Sequence, residues 1–468
     1  MAGLKSANAK ARKQIRAVHL DLKGMPPLFE RLVRLPKLFR AAGFNAILVE
    51  WEDMFPWRDR DLRRPGYYDA RQVRLFSEAA EKQGLEIIPL VQTFGHMENV
   101  LKHGKNEKFR EIPWMNSDIS PLCEGARERV EELLSEMFDA FPSSRYFHLG
   151  GDEVGTLGRG ERSLRYCSVH SKTELYLDYM IPLLDFVRSR GAVPLLWFDM
   201  LAGGNDRELA YLAGKAELVL WGFGDRLEAP AVRLSSLGIG LWGAPCFKGA
   251  DGASSELPDL KRRFDNTRNY LALGKKVRLS GLISCGWSRY TSLRQQCDPL
   301  EGALDSAAAA GLLFRGEQDV TEEKVLKILE DAGFLETFLR SKALLGELSE
   351  WKEIGWRCLR SALELAAGQE RLKVRKDSQL AWYCLKMAGI LEGADALKLR
   401  FHKHFDPLYG AGSVEDFLEE RIIPLRRGLE LMKRDNRKFG HPLAEEGYRK
   451  VFGIETGGIQ CGTEPISH

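Results

Sequence analysis

Eight short apolar runs, set apart by longer amphipathic stretches, occupy the first two-thirds of this 468-residue chain. They are residues 17–22, 46–51, 86–92, 146–150, 193–198, 218–221, 240–242 and 280–285. Their β-branched and aromatic content marks them as strands. The stretches between them read as helices. Residues 28–42 carry Leu32, Leu35, Leu38 and Phe39 on one face and stop at Gly43. Segments 73–83 and 174–190 stop at Gly84 and Gly191, and 126–141 stops at Pro142. Glycine ends a helix readily because it accepts a left-handed backbone.

Parallel strands need crossover connections, and eight strand–helix units close naturally into a ring. The pattern therefore predicts an α/β chain built on a (β/α)8 TIM barrel, covering residues 1–318. An open doubly wound sheet competes, but it usually has a glycine-rich first turn. Here that turn reads Leu22-Lys23-Gly24-Met25-Pro26-Pro27. Beyond Gly316 the strands vanish, and residues 319–456 read as a C-terminal α-helical domain. Within it, 413–433 begins at Ser413, with Asp416 three residues on, in the manner of a capped helix. Its apolar face is Val414, Phe417, Leu418, Ile422, Leu425, Leu429 and Met432, with a kink expected at Pro424. Residues 457–468 are glycine-rich and polar, and read as a disordered tail.

Composition narrows the partners. With 69 Lys and Arg against 66 Asp and Glu, the net charge is +3. That gives no electrostatic reason to expect nucleic acid or an anionic membrane as partner. The eight Cys are dispersed, with no C-x-x-C pair, which fits reduced thiols better than a zinc site or a disulfide framework. The first 16 residues are basic and polar, with no apolar core of a secretion signal, and no run of about 18 apolar residues occurs. A cytoplasmic protein is expected.

In such a barrel the chemistry sits where the strands end. Strand two runs into Glu50-Trp51-Glu52-Asp53, and strand three into Gln92-Thr93-Phe94-Gly95-His96. Strand four ends His148-Leu149-Gly150-Gly151-Asp152-Glu153, strand five Trp197-Phe198-Asp199 and strand six Trp221-Gly222-Phe223. Strand seven holds Trp242, and strand eight leads into Trp287-Ser288-Arg289-Tyr290. Four successive strands thus bring a Trp to one rim, beside carboxylates and His. Aromatic faces among acids suit a sugar, and equally a quaternary ammonium ligand.

Asp152 and Glu153 discriminate further. They could cap a helix. They could also include an acid whose pKa is raised by a negative neighbour and partial burial. Retaining glycosidases usually hold two carboxyls about 5–5.5 Å apart across the scissile bond. Adjacent residues do not easily straddle a ring in that way. Hydrolysis assisted by a 2-acetamido group removes the difficulty, because the substrate then supplies the nucleophile.

These residues resemble glycoside hydrolase family 20, the β-N-acetylhexosaminidases, whose H-x-G-G-D-E signature matches 148–153. His19-Leu20-Asp21-Leu22-Lys23-Gly24, Glu52-Asp53-Met54-Phe55-Pro56, the stretch from Pro89 to Glu98, and Phe247-Lys248-Gly249-Ala250 are similar to an intracellular hexosaminidase D-like branch. The resemblance implies a retaining exo-enzyme that removes terminal β-linked GlcNAc or GalNAc from an oligosaccharide or glycoconjugate, with no metal or other cofactor. It implies Glu153 as general acid/base and Asp152 as the residue orienting the acetamide. Trp197, Trp221, Trp242 and Trp287 would wall the sugar. His96, His148, Asp199, Glu50, Arg289 and Tyr290 would support the carboxylates or bond hydroxyls.

Two departures stand out. Lys23 lies where family members carry an Arg, and Phe223 where a Tyr is expected, so that another Tyr such as Tyr290 reaches in or the contact is absent. Two other functions remain open from sequence alone: a two-carboxylate glycosidase using Glu50 or Asp199 as nucleophile, and a sugar-binding barrel without turnover. The helical domain could serve as a lid, a homodimer interface or a cover for the barrel.

Overall fold

The computed structural model describes residues 14–223, 227–249, 255–288, 299–367 and 373–438. They divide into two compact units. One takes in the described parts of Met1–Asp251 and Pro258–Phe338, the other those of Gly252–Leu257 and Leu339–His468.

The first unit is the barrel. Its strands are β1 (Ile15–Asp21), β2 (Ala46–Glu50), β3 (Glu86–Leu90), β4 (Tyr146–His148), β5 (Val193–Trp197), β6 (Glu217–Trp221), β7 (Gly240–Ala244), β8 (Cys246–Lys248) and β9 (Gly281–Gly286). β1 to β7 pair in parallel, each with the next, β7 pairs with β9, and β9 pairs with β1 to close the ring. All eight expected strands are present within a few residues of their read boundaries. The short β8 was not anticipated. It follows Pro245, which interrupts the run from β7, and it pairs with the far end of β9 through Cys246 and Cys285.

Side chains alternate along each strand, and that alternation sorts the core into two. Inside the ring lie Ala17, Ala46, Leu48, Ile88, Leu90, Tyr146, Leu195, Trp197, Val219, Trp242 and Ile283. Outside it, Val18, Leu20, Ile47, Val49, Phe147, Leu196, Leu218 and Leu220 meet the surrounding helices. Carried two residues onward, the inward set arrives at Glu50 on β2, Gln92 beyond β3, His148 on β4 and Trp221 on β6. The pleat of the strands therefore selects which polar residues reach the mouth end of the barrel.

The helices follow the read pattern with local corrections. Segment 28–42 is two helices, Phe29–Leu32 and Leu35–Ala42. Pro36 stands in the first turn of the second, where its missing N–H is tolerated, but it cannot continue the preceding helix. The helix Lys172–Ser189 starts slightly early because Ser171 and Glu174 form a reciprocal capping box.

The second unit is built mainly from long helices, Leu335–Ala367, Lys373–Tyr409 and Ala411–Lys438. Cys358, Ala362, Cys384, Met387, Leu425 and Met432 form part of its core. Ser413 does not cap the last helix, which is already under way at Ala411, just past the left-handed Gly410. Pro424 lies inside that helix. No helix among the described residues is long and apolar enough to cross a membrane. The expected tail, 457–468, lies outside the described residues.

A buried ion cluster ties this unit to its own stray segment. Glu256 receives Arg421 Nε at 2.7 Å and Nη2 at 2.8 Å, and it also pairs with Lys352. All three are buried. Removing one member of such a group leaves uncompensated charge out of water. Glu256→Ala is expected to cost about 3 kcal/mol or more, read as a lower denaturant midpoint for the transition reported by helical circular dichroism.

Candidate active site

The mouth of the barrel has a charged floor. Lys23 Nζ sits between Glu50 and Asp21, with Asp21 Oδ1 at 3.3 Å. Gln92 Nε2 donates to Glu50 Oε1 at 3.0 Å, and His19 Nε2 lies 3.4 Å from Glu50 Oε2. Both oxygens of Glu50 are thus engaged. Burial pulls the Lys23 ammonium down, but Asp21 and Glu50 outweigh it and hold it above its ordinary value. Burial pushes the Glu50 carboxyl up, yet Lys23 and His19 keep it well below the usual carboxylate range. Lys23 and Glu50 are therefore an ionised, internally paired floor. Asp21 also accepts from the Ser288 N–H at 2.8 Å, which joins β1 to the segment after β9.

After β4 the chain turns sharply. Gly150 and Gly151 adopt φ of 63° and 84°, and Glu153, though not glycine, adopts 47°. Side chains strain such backbone, and strain of this kind clusters at functional sites. At Gly151 a Cβ would lie 2.4 Å from the Tyr176 hydroxyl, which donates to the Gly151 carbonyl at 2.9 Å. At Gly95 a Cβ would lie 2.2 Å from the Asp152 carbonyl oxygen. Gly95 thus lets the loop after β3 close on the loop after β4, and Gly151 lets that second loop close on the helix Lys172–Ser189. The Glu153 N–H donates to Asp199 Oδ2 at 2.9 Å, which anchors the strained residue.

His96 joins the two acids. Its Nε2 lies 3.4 Å from Asp152 Oδ2 and 3.4 Å from Glu153 Oε2. Burial opposes the charge on His96, but Asp152 and then Glu153 hold its pKa well above the ordinary value. The imidazole is therefore a cation. Its hydrogen bond lowers the pKa of Glu153 against the opposing effect of burial. A raised pKa at Glu153 is thus not found in the free site. Its side chain is 54% exposed and faces a cation, so neither expected cause of a rise dominates.

The raised carboxyl is Asp199. Burial first, and then the charge of Asp152, push it up to about 6. Its Oδ1 accepts from Trp221 Nε1 at 3.0 Å while Oδ2 holds Glu153. Asp152 Oδ1, by contrast, is buried with no hydrogen-bond donor. A buried acceptor without a donor is uncommon and calls for an explanation.

Trp221 and Trp287 stand edge to face, with ring centres 5.8 Å apart, and exposed Phe223 leans on Trp287 at 5.6 Å. Trp197 is buried beneath them against the His148 ring at 4.4 Å. His148 is fully buried. Its Nδ1 accepts from the Gly150 N–H at 3.0 Å, and burial drives its pKa down to about 3. It supports the turn as a neutral ring and does not face the opening.

Trp242 is a correction: it is not on the rim. It pairs across the sheet with Val219, whereas Trp221 pairs with Ala244, one inward layer nearer the mouth. Its indole fills the space over Gly281 and donates to Glu217 Oε2 at 2.5 Å, at the opposite end of β6. Arg289 and Tyr290 lie outside the described residues. Sequence reasoning missed Asp21, Gln92 and Lys248 as polar groups around the mouth. Lys248 is buried, its Nζ 3.2 Å from Ser288 Oγ and 3.3 Å from the Trp287 carbonyl. Inward phase along β1 and β3 could have found Asp21 and Gln92. For Lys248 the missed strand removed the signal.

A closed parallel barrel with neighbouring acids, a bridging imidazolium and indoles at its C-terminal mouth is the frame of a glycoside hydrolase. A family model, "Glycosyl hydrolase family 20, catalytic domain", matches residues 32–229. Hexosaminidase D of Bos taurus is 35% identical over 63% of this chain and 90% of its own length. The Homo sapiens protein of the same name is 35% identical over 65% and 67%. Chitobiase of Flavobacterium johnsoniae shares the fold at TM-score 0.53 and 15% identity, over 93% of this chain and 78% of its own. The exo β-N-acetylglucosaminidase of Vibrio harveyi does so at 0.52 and 15%, over 70% and 58%. The chain belongs to glycosyl hydrolase family 20 and is a β-N-acetylhexosaminidase.

Asp199 yields a pH prediction. Folding raises its pKa from 3.8 to about 6, so this carboxyl favours the fold most when protonated, and its contribution declines as pH rises through about 6. Asp199→Asn should remove that pH dependence from the melting temperature between pH 4 and pH 7. It should also remove an ionisation near pH 6 from the profile of kcat/KM.

Proposed function

We propose that the enzyme removes terminal β-linked GlcNAc or GalNAc with retention, using the substrate's own acetamido oxygen as nucleophile. Asp152 Oδ1 carries the reading: it is a buried, donorless carboxylate oxygen beside the acid, suited to an acetamide N–H. That bond would orient the acetamido oxygen toward the anomeric carbon. As the oxygen attacks, the glycosidic bond breaks and Glu153 gives its proton to the leaving oxygen. An oxazolinium results, whose positive charge Asp152 balances. Water then adds to the anomeric carbon, Glu153 takes the proton, and the acetamide is restored.

The ionised Glu153 of the free site is compatible with this role. A sugar seated on it removes water from a half-exposed carboxylate, which raises its pKa. His96, shared with Asp152, is a proton source at hand. The two-carboxylate alternative is less well supported. Glu50 is buried with both oxygens paired, and both oxygens of Asp199 accept N–H groups. A cytoplasmic setting agrees with the free described cysteines.

Four assays test the reading. Glu153→Gln should lower kcat by about 10²- to 10⁴-fold on oligosaccharides, with a smaller loss on an aryl glycoside whose leaving group needs no proton. A thiazoline mimic of the cyclised intermediate should inhibit competitively. Full activity on β-glucosides lacking the acetamide would sink the mechanism. His96→Asn should shift the Glu153 ionisation to higher pH, since the cation that lowers it is gone.

A further inference from the structure

The long loop after β3 makes a small antiparallel excursion. Arg110 bridges Ile119, the Glu111 N–H donates to the Asp118 carbonyl at 3.1 Å, and the Ser120 N–H donates to the Phe109 carbonyl at 2.7 Å. Its tip is a four-residue turn, Ile112-Pro113-Trp114-Met115, closed by the Met115 N–H on the Ile112 carbonyl at 2.9 Å. Proline in the second position stiffens such a turn. Arg110 braces it, with Nη1 on the Pro113 carbonyl at 3.0 Å and Nε and Nη2 on the Leu101 carbonyl at 2.9 and 2.7 Å. On this braced turn Trp114 is 81% exposed. Isolated exposed apolar residues are ordinary. A fully presented indole on a proline turn at the catalytic face has a stronger claim to function.

The excursion is lashed to the reacting groups. The Met97 N–H, next to His96, donates to the Ser117 carbonyl at 2.8 Å. Three residues span at most about 11 Å, so the turn stands within roughly 14 Å of that nitrogen. Buried Asp118 accepts from the Thr156 N–H and hydroxyl at 2.7 Å, and buried Glu111 accepts from the Gly160 N–H at 3.0 Å. Thr156 and Gly160 follow Glu153, so the loop flanks the segment that carries the proton donor. The leaving oxygen must face that donor, so the leaving group emerges beside a segment that this loop holds.

We propose that Trp114 is the platform for the leaving group, and that its occupant is a pyranose: the sugar to which the terminal hexosamine is attached. This rests on the proposed role of Glu153. The exposed indole offers a flat face that matches the C–H face of a sugar. A lipid chain would need a wider apolar patch.

The test compares two substrates, methyl β-GlcNAc and a β-linked GlcNAc disaccharide, with released GlcNAc as readout. Trp114→Ala should lose about tenfold in kcat/KM on the disaccharide, the scale of one apolar pocket contact. It should lose less than about twofold on the methyl glycoside, and Trp114→Phe should retain most of the activity on both. Equal losses on the two substrates, or none on the disaccharide, would overturn the platform. A loss confined to an octyl β-GlcNAc control would overturn the pyranose in favour of an apolar chain. Wild-type hydrolysis of the disaccharide but not the methyl glycoside would support a leaving-group subsite. Hydrolysis of neither by the wild type would overturn the reading of the catalytic site itself.

Discussion

The pleat of the barrel strands is the constraint on which the site depends. Every second side chain points to the axis, and eight parallel strands carry that phase to one end. In the lower layers the inward positions are filled by Ala17, Ala46, Leu48, Val219 and Trp242. At the mouth the same phase delivers Glu50, Gln92, His148 and Trp221. A one-residue slip in β2 or β4 would exchange Glu50 or His148 for an outward apolar neighbour, Val49 or Phe147. The packed lower barrel is thus what fixes the polar constellation above it.

That constellation is governed by where its cations lie. Lys23 neutralises the deeper pair, Asp21 and Glu50, while His96 neutralises the outer pair, Asp152 and Glu153. Asp199 has no cation of its own in these pairings and sits near Asp152, so its pKa rises. Carboxyls in one mouth therefore take different protonation states because of their partners. Deep in the mouth, Glu50 stays ionised and structural. The outer ones are left with a half-exposed side chain and an unfilled acceptor, which are the groups a substrate can engage.

The fold was legible because its signal is repeated. Eight apolar runs at regular intervals leave few alternatives, and a misread helix start, as at Ser413, does not disturb the ring. Asp152, Glu153 and His96 were legible because they follow strands directly. Depth was not legible. Trp242 resembles Trp221 in sequence, and only the cross-strand register separates them by one layer. Protonation was not legible either. The expected rise at Glu153 assumed a negative neighbour and burial, whereas His96 arrives from another strand and reverses the sign.

The backbone carries a further regularity. Among the described residues the non-glycine positions with left-handed φ are Glu52, His96 and Glu153. They follow β2, β3 and β4, three neighbours in the ring. Each such residue costs on the order of 1–3 kcal/mol and persists only when surrounding contacts over-determine it. Those contacts are visible. The Glu52 carbonyl accepts from Trp57 Nε1 at 2.7 Å, the Glu153 N–H is held by Asp199, and His96 lies between Gly95, pressed on the Asp152 carbonyl, and the Met97–Ser117 bond. A relaxed backbone would let these chains run out toward solvent after the strands end. The strain turns them sharply at the mouth, where Glu153 and its imidazolium partner meet. The cost is spread over the barrel, whose core is large enough to bear it.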